Sequence, residues 1–581
     1  QATGQIAGSA VQIGHPIHEK QVQEVVLKAR DERLYHAITD CGAGGLSSAV
    51  GELGAKTGVH VQLTDVPLKY PGLRPWEIWL SEAQERMVFA VPPQNIPRLM
   101  EIADEQQIEA VCIGTFESDG RLNLYYGDQR VGALTMDFLH DGIPRRHLQA
   151  RWDAPPQPKM KRAPVDLTDT LLKLLAHPDI RSKEAVVRRY DHEVQGGTAV
   201  KPLGGADNGG HNDGSVIVPT GTITAGNPVK GAVVSAGLAP AYGEIDPYVM
   251  AWAAVDEAFR NAVAVGADPD QIALLDNFCW GNPLLPDRLG SLVRCAQGCY
   301  DAAVAYNAPF VSGKDSLNNE YMGADGQRHA IPGTLLISAL GIVPDVTRTV
   351  TADLKAAGDL LYVVGATQHE LGGSHLHLIH GFKGGTVPQP VPDALAHMRT
   401  LHTAIRTGLV QACHDVSEGG IGVALAEMCI AGKLGVEAFL QNLDDHIEPE
   451  AMPDVALFSQ SNGRFIVEVR LEDQAVFEEH MRGVPITMIG RVKLFNNLVV
   501  RHSVYDDEDA PPLIRLRIED LERAWRGASS EARESSSARP AVPNLGGAKV
   551  FSTVSARTSK PRALILHAPG TNRDHDAALA C

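Results

Sequence analysis

The chain has 581 residues, with 52 Lys and Arg against 70 Asp and Glu and a formal charge of −18. Such an acidic chain argues against a nucleic-acid partner, which needs clustered Lys and Arg, but leaves nucleotides open, because loop amides and a divalent ion supply positive potential locally. No apolar run reaches the roughly 18 residues of a membrane span, and the eight cysteines, none in a C-x-x-C pair, read as reduced thiols of a cytoplasmic protein.

The length allows roughly three to five domains, and 44% hydrophobic residues with only 5% aromatic predict aliphatic α/β cores. Taken in chain order, Leu34–Asp40 reads as a short strand that ends at Asp40 and is followed by Gly44-Gly45. Leu46, Ala49, Val50 and Leu53 then recur with helical spacing. A carboxylate beside helix amides freed by two glycines suits a magnesium–phosphate site, and an N-cap Asp in a tight turn explains the pattern too. Ser81–Arg86 precedes the apolar run Met87–Val91, either presenting side chains to a ligand or forming a solvated turn. Trp152–Pro164 is Pro-rich and basic, and reads as a linker.

Residues 165–350 are expected to form a separate domain, with a Gly-rich loop over Gly204–Gly214 and a helix over Tyr248–Val265. On that helix Glu257 and Asn261 share one face, as oxygen ligands for Mg²⁺ or as a surface stripe. Two apolar runs, Ile272–Leu275 and Ala308–Phe310, read as strand ends feeding polar loops that begin at Asp276 and Val311. Gly313-Lys314 lacks the Walker frame. Cys295 and Cys299 lie four apart on an expected helix and pack. His375 and His377 alternate as on a strand, which with His380 argues against a metal site there.

The pattern of Leu34–Leu53 then returns. Leu409–Asp415 is followed by Gly419-Gly420 and by Ile421, Ala424, Leu425 and Met428 at the same helical spacing. Ser459–Arg464 resembles Ser81–Arg86, and Ile489-Gly490 resembles Ile113-Gly114. Two copies of one domain are therefore expected, over 1–150 and about 355–505, with Asp40 and Asp415 in like surroundings. A linker is expected over 520–558, and Arg562–Gly570 reads as the first strand and turn of a further domain at 559–581.

Together these strings resemble phosphoribosylformylglycinamidine synthase, the formylglycinamide ribonucleotide amidotransferase family. Ser9–Pro16, Asp40–Leu53, Leu80–Arg86, Asp276–Pro283, Gly313–Ser316, Leu371–Ser374 and Cys413–Gly420 carry the resemblance in order, and Ala568–Asp576 is similar to the start of the family's glutaminase domain. The resemblance implies an α/β (α+β) fold of tandem aminoimidazole-ribonucleotide-synthetase-like domains, the duplicated C-terminal domains flanking one N-terminal domain. It implies ATP and Mg²⁺ as cofactors. Gln12, Glu82, Ala83, Gln84 and Ser316 would contact the substrate, formylglycinamide ribonucleotide, while Asp276, Gly313 and Ser417 would contact ATP. Asp40, Asp213, Glu257, Asn261 and Asp415 would bind metal, the last four forming with Ser417 the pattern of an auxiliary, structural nucleotide. Lys314 stands where small forms carry an Asn ligand.

The implied reaction turns an amide into an amidine, with ammonia delivered from glutamine by the glutaminase domain. The family's catalytic residues would lie outside this chain, so a fragment inactive alone is expected. Another ATP-binding synthetase of the same superfamily, such as selenophosphate synthetase, is disfavoured by the duplication and the tail. A scaffold that merely holds a nucleotide is the remaining alternative.

Overall fold

The computed structural model describes residues 15–68, 71–156, 165–189, 192–193, 196–219, 221–382, 384–441, 443, 453–504 and 511–527. The chain divides into two compact units, Gln1–His147 and Leu148–Cys581.

The first unit carries β1 (Ala37–Asp40), α1 (Leu46–Leu53), β2 (Val59–Gln62), β3 (Met87–Ala90), β4 (Gly114–Phe116), β5 (Arg121–Tyr126) and β6 (Gln129–Thr135). They form two separate sheets, β1-β3 and β4-β2-β5-β6. Alternation decides the faces: in β2, Val59 and Val61 point into a core with Leu122 and Leu124 of β5, and Leu46, Ala49 and Val50 of α1 cover it.

The second unit begins with α2 (Leu167–Ala176) and builds a six-stranded sheet from β7 (Thr198–Val200), β8 (Ser215–Ile217), β9 (Gly231–Leu238), β10 (Ile272–Cys279), β11 (Phe310–Ser316) and β12 (Thr334–Val343), in the order β11-β10-β12-β9-β8-β7. Helices α3 (Pro247–Ala264) and α4 (Pro286–Ala305) belong to it. A seven-stranded sheet follows, from β13 (Leu360–Val364), β14 (Ala412–Asp415), β15 (Gly435–Phe439), β16 (Phe465–Val469), β17 (Ile486–Lys493), β18 (Asn497–Arg501) and β19 (Ile514–Arg517), in the order β14-β16-β13-β17-β15-β18-β19. Its helices include α5 (His375–His380), α6 (Gly420–Gly432) and α7 (Ile518–Arg526).

Helix α3 is apolar almost all round because it lies between the two sheets. One core joins its Phe259 and Ala262 to Leu274 and Ile337 of the first sheet and to Tyr362, Phe465 and Val467 of the second. A second core, on the far face of the seven-stranded sheet, joins α2, α6 and α7 to Leu361, Val363 and Ile466. All five residues of β13 are buried, alternately in the one core and the other.

The duplication is visible in the strand order. β1, β3, β4, β2, β5 and β6 correspond to β14, β16, β17, β15, β18 and β19, and every shared pairing keeps its sense, including the parallel pairs β2–β5 and β15–β18. Among its described residues the first unit has no counterpart of β13, and its sheet is split at that point. The hinge of each copy is the same. Arg86 Nε donates to Ala83 O (3.0 Å) and its Nη2 to Ser81 O, while Arg464 Nε donates to Ser461 O (3.0 Å) and its Nη2 to Ser459 O (2.6 Å). The arginines thereby curl two loops against Gly45 (φ 58°) and Gly420 (φ 66°), where a side chain would strike the carbonyls of Ser81 and Ser459.

Several placements differ from the sequence reading. Helix α2, assigned to the middle domain, buries Leu171, Leu174 and Leu175 in the core of the second copy, each contributing roughly 1.5–3 kcal/mol. The second copy does not stop at 505, since β19 completes its sheet and α7 runs into the expected linker. Asp276 and Asn277 lie inside β10, and Ser312–Ser316 inside β11, because the two strands pair in parallel past the end of their apolar runs. His375–His380 is a helix, capped by Ser374, whose side chain accepts from His377 N.

Glu468 fixes the entry to the seven-stranded sheet, accepting from Lys355 N (2.8 Å) and Ala356 N (2.9 Å). Burial pushes its pKa from 4.5 up to about 7, against those two donors and with the charge of Asp359 adding to the rise. A raised folded value means that the stability it confers is whole below 4.5 and lost as the pH rises through 7. Urea unfolding from pH 4.5 to 8 is expected to show a loss of roughly 2–3 kcal/mol that Glu468→Gln lacks; equal pH profiles would refute this.

Candidate functional site

Strand β8 begins at Ser215, opposite Val234, so among the described residues the outer edge of β9 from Ser235 on has no strand partner. Helix α3 supplies one: Asn261 Nδ2 donates to Ala236 O (2.8 Å), and Glu257 Oε2 accepts from Leu238 N (2.8 Å). Each side chain keeps one oxygen beyond these bonds, and Asn261 Oδ1 is buried without a partner. Asp213 lies just before β8, and its Oδ2 accepts from Asp415 N (3.4 Å) at the end of β14. Ser417 Oγ bonds the Asp415 carboxylate and accepts from Arg260 Nη2 (2.8 Å), which also reaches Asp415 Oδ2 at 3.4 Å.

A cleft in the second unit is lined by Glu257 of α3 and by His414, Asp415, Ser417, Glu418 and Glu427, together with Asp179, Lys183 and His211. Burial, then the charges of Glu418 and Asp415, hold Glu257 well above the usual carboxylate range, and burial raises Glu418 too. Asp213 is pushed up to about 6 by burial, against the pull of His414. Burial draws His414 down, but the charge and hydrogen bond of Asp213 and the bond to Glu427 outweigh it and hold it well above its ordinary value. His414 Nδ1 lies 2.6 Å from Asp213 Oδ1, and Nε2 lies 3.2 Å from Glu427 Oε2. With both nitrogens donating, His414 is a cation between carboxylates and not a metal ligand. Crowded carboxylate and amide oxygens with one open acceptor fit a hard, oxygen-liganded divalent ion.

The residues singled out in the sequence fall in three places. Asp213, Glu257, Asn261, Asp415 and Ser417 come together in and around this cleft. Asp276 and Gly313 face each other across β10 and β11, and Cys279 pairs with Ser316. A side chain at 313 would collide with the Asp276 carboxylate, so the glycine makes room for it. Burial, then Asp315, raises Asp276. In the first unit, Glu82 Oε1 accepts from Gly44 N (2.9 Å), Ala83 O accepts from Arg86, and Gln84 Nε2 donates to Glu82 O (3.3 Å), all beside the glycine loop that follows Asp40. Gln12 lies outside the described residues.

The expectation of like surroundings for Asp40 and Asp415 holds for the backbone and fails for the side chains. Asp415 is 7% exposed and faces α3. Asp40 is exposed, and no helix of the first unit stands over it as α3 does among the described residues. Sequence reasoning missed His414, Arg260 and Glu418. The signals were there: His414 adjoins Asp415 where the first copy has Thr39, and Arg260 stands four residues after Asp256 and beside Asn261 on a mainly apolar helix.

A family model described as the AIR synthase related protein, C-terminal domain, matches residues 1–127 and again 356–501, and the N-terminal domain model of the same family matches 214–343. The phosphoribosylformylglycinamidine synthase subunit PurL of Thermoplasma acidophilum is 30% identical over 89% of this chain and 65% of its own length. PurL of Thermococcus sibiricus is 34% identical over 83% of this chain and 64% of its own. The chain thus spans slightly under two thirds of these relatives. The structure of PurLQS from Thermotoga maritima superposes with a TM-score of 0.57 at 22% identity, over 83% of this chain and 68% of that one. T. maritima PurL has also been solved in complex with ATP and with FGAR. No described helix is long and apolar enough to cross a membrane. Two C-terminal-type domains and, between them in sequence, one N-terminal-type domain place this protein in the AIR synthase related protein family, with phosphoribosylformylglycinamidine synthase PurL subunits among the relatives it matches along most of its length.

Proposed function

We propose that this chain is the synthetase part of a cytoplasmic, ATP-dependent ligase of de novo purine biosynthesis. It would convert formylglycinamide ribonucleotide to formylglycinamidine ribonucleotide with ammonia released from glutamine by a glutaminase domain or partner. The carrying observation is the meeting of Asp213, Glu257, Asp415 and Ser417, from three separate stretches of sequence, around one cleft beside a helix that opens with two glycines. The names of the relatives and the ATP and FGAR complexes of T. maritima PurL support the same reading.

In this reading the cleft holds the auxiliary magnesium nucleotide. Asp213, Glu257, Asn261 and Asp415 would hold the ion, which when bound neutralises phosphate charge. Glu257, raised by burial and then by the charges of Glu418 and Asp415, and Glu418, raised by burial and by Asp415, would gain their charged forms against such an ion. Arg260 orients Asp415 and Ser417. Asp40 would bind Mg²⁺, Glu82, Ala83, Gln84 and Ser316 would contact the substrate, and Asp276 and Gly313 would contact ATP.

Calorimetric titration with MgADP tests the cleft. The cleft of the wild-type chain is expected to take up one equivalent, and Asp415→Asn, which keeps a polar partner for Arg260, to bind there at least about tenfold more weakly, or roughly 1.4 kcal/mol. Equal affinities would remove the cleft from the nucleotide's path.

A further inference from the structure

We propose that His177, Asp179 and His375 form a binding site for a divalent transition ion of the zinc type, separate from the oxygen-lined magnesium position. The three residues arrive from different elements: His177 caps the C-terminus of α2, Asp179 lies two residues on, and His375 opens α5. Asp179 Oδ2 is 3.1 Å from His375 Nε2 and 3.5 Å from His177 Nδ1, and the three ligand atoms lie within 4.8 Å of one another. A tetrahedral zinc about 2.0–2.1 Å from each ligand spaces them roughly 3.3–3.4 Å apart, so small rotations suffice. The imidazole rings stand edge to face, 5.0 Å apart at 78°, converging on the carboxylate.

The hydrogen bonds fix which ring nitrogen is free. Gln460 Oε1 accepts from His375 N (2.7 Å) and Gly419 N (3.3 Å), while Gln460 Nε2 donates to Tyr242 Oη (2.7 Å). The atom facing His375 Nδ1 at 3.4 Å is therefore an acceptor, Nδ1 carries the proton, and in the neutral ring Nε2 offers its lone pair to Asp179. A lone pair facing a carboxylate oxygen at that distance needs a positive charge between them. A histidine whose other nitrogen is held by an amide oxygen is the second-sphere arrangement of metal-bound imidazoles. His177 Nδ1 accepts from Asp179 N at 3.3 Å, so it too is unprotonated and can exchange a long hydrogen bond for a metal. Lys183 Nζ donates to Pro178 O and Arg181 O (2.9 Å).

Two imidazoles and one carboxylate select zinc or cobalt over magnesium. Asp179 is largely exposed and lines the cleft, so solvent reaches the ion and water takes a further position. The bound ion would tie the end of α2 to the start of α5. The site stands whether or not the cleft holds a nucleotide.

The test is titration of the purified chain, stripped with chelator, with Co²⁺ alone, following the visible ligand-field band and its displacement by Zn²⁺. Wild type is expected to bind one equivalent with a four-coordinate spectrum. His375→Gln should lose that equivalent, and Asp179→Asn should weaken it at least tenfold, each with an unchanged metal-free melting temperature. If His375→Gln does not fold, Asp179→Asn, at an exposed position, decides. A wild type without the band, or a band shared unchanged by the folded variants, overturns the site and leaves His375 as an imidazolium paired with Asp179.

Discussion

Arg464→Met is expected to destabilise the second unit by roughly 3–5 kcal/mol in urea unfolding. The guanidinium is fully buried and makes bonds that no apolar side chain replaces: to Ser459 O (2.6 Å), Ser461 O (3.0 Å) and Thr367 Oγ1 (3.0 Å). Each acceptor stranded in the core costs about 1–3 kcal/mol. Burial draws the pKa of Arg464 down to about 9, with Glu370 opposing, so the group stays charged at neutral pH. The loop it curls is polar yet buried, and it connects onward, Gln460 to Gly419 and His375, and Gly463 N to Asp256 Oδ2 (2.9 Å). Lys in its place has one point charge and no fork, so Arg464→Lys should recover only a minor part. A loss below about 1 kcal/mol for Arg464→Met would show the loop to be held by other means.

His414→Leu is expected to cost about 3 kcal/mol, because it leaves Asp213, with 4% of its side chain exposed, without the cation 2.6 Å away. Glu427 loses less, since Trp525 Nε1 still donates to it (3.1 Å). The signature that separates a charge effect from a packing effect is coupling. Asp213→Val combined with His414→Leu should be more stable than the sum of the single losses predicts by at least about 1–2 kcal/mol, as removing both charges leaves neither stranded. Simple additivity in the double-mutant cycle would sink the ion-pair account.

The duplication was legible because it rests on residues whose demands are local. An Asp at a strand end, two glycines and an arginine five residues after the serine that leads a turn fold alike in either copy, whatever surrounds them. The helical spacing of α1, α3 and α6 was legible for the same reason. What surrounds the copies was not. Spacing shows that Leu171, Leu174 and Leu175 share a face, and nothing in it says that the face meets β13 and not the six-stranded sheet. Asp276 read as a loop residue because the apolar run stops before it, yet backbone pairing with Gly313 carries the strand on. The short helix at His375 holds too few turns to show a period. The importance of His414 and Arg260 rests largely on Asp213 and Asp415, partners far along the chain that the residues beside them hint at but do not identify.

The position of β13 between two cores has a thermodynamic consequence. In the second unit, β13 is a central plank whose odd and even side chains are rooted in opposite cores, so neither core can melt without dragging the other with it. The second copy therefore opens as a single block, and a substitution that loosens one of its cores is felt in the other.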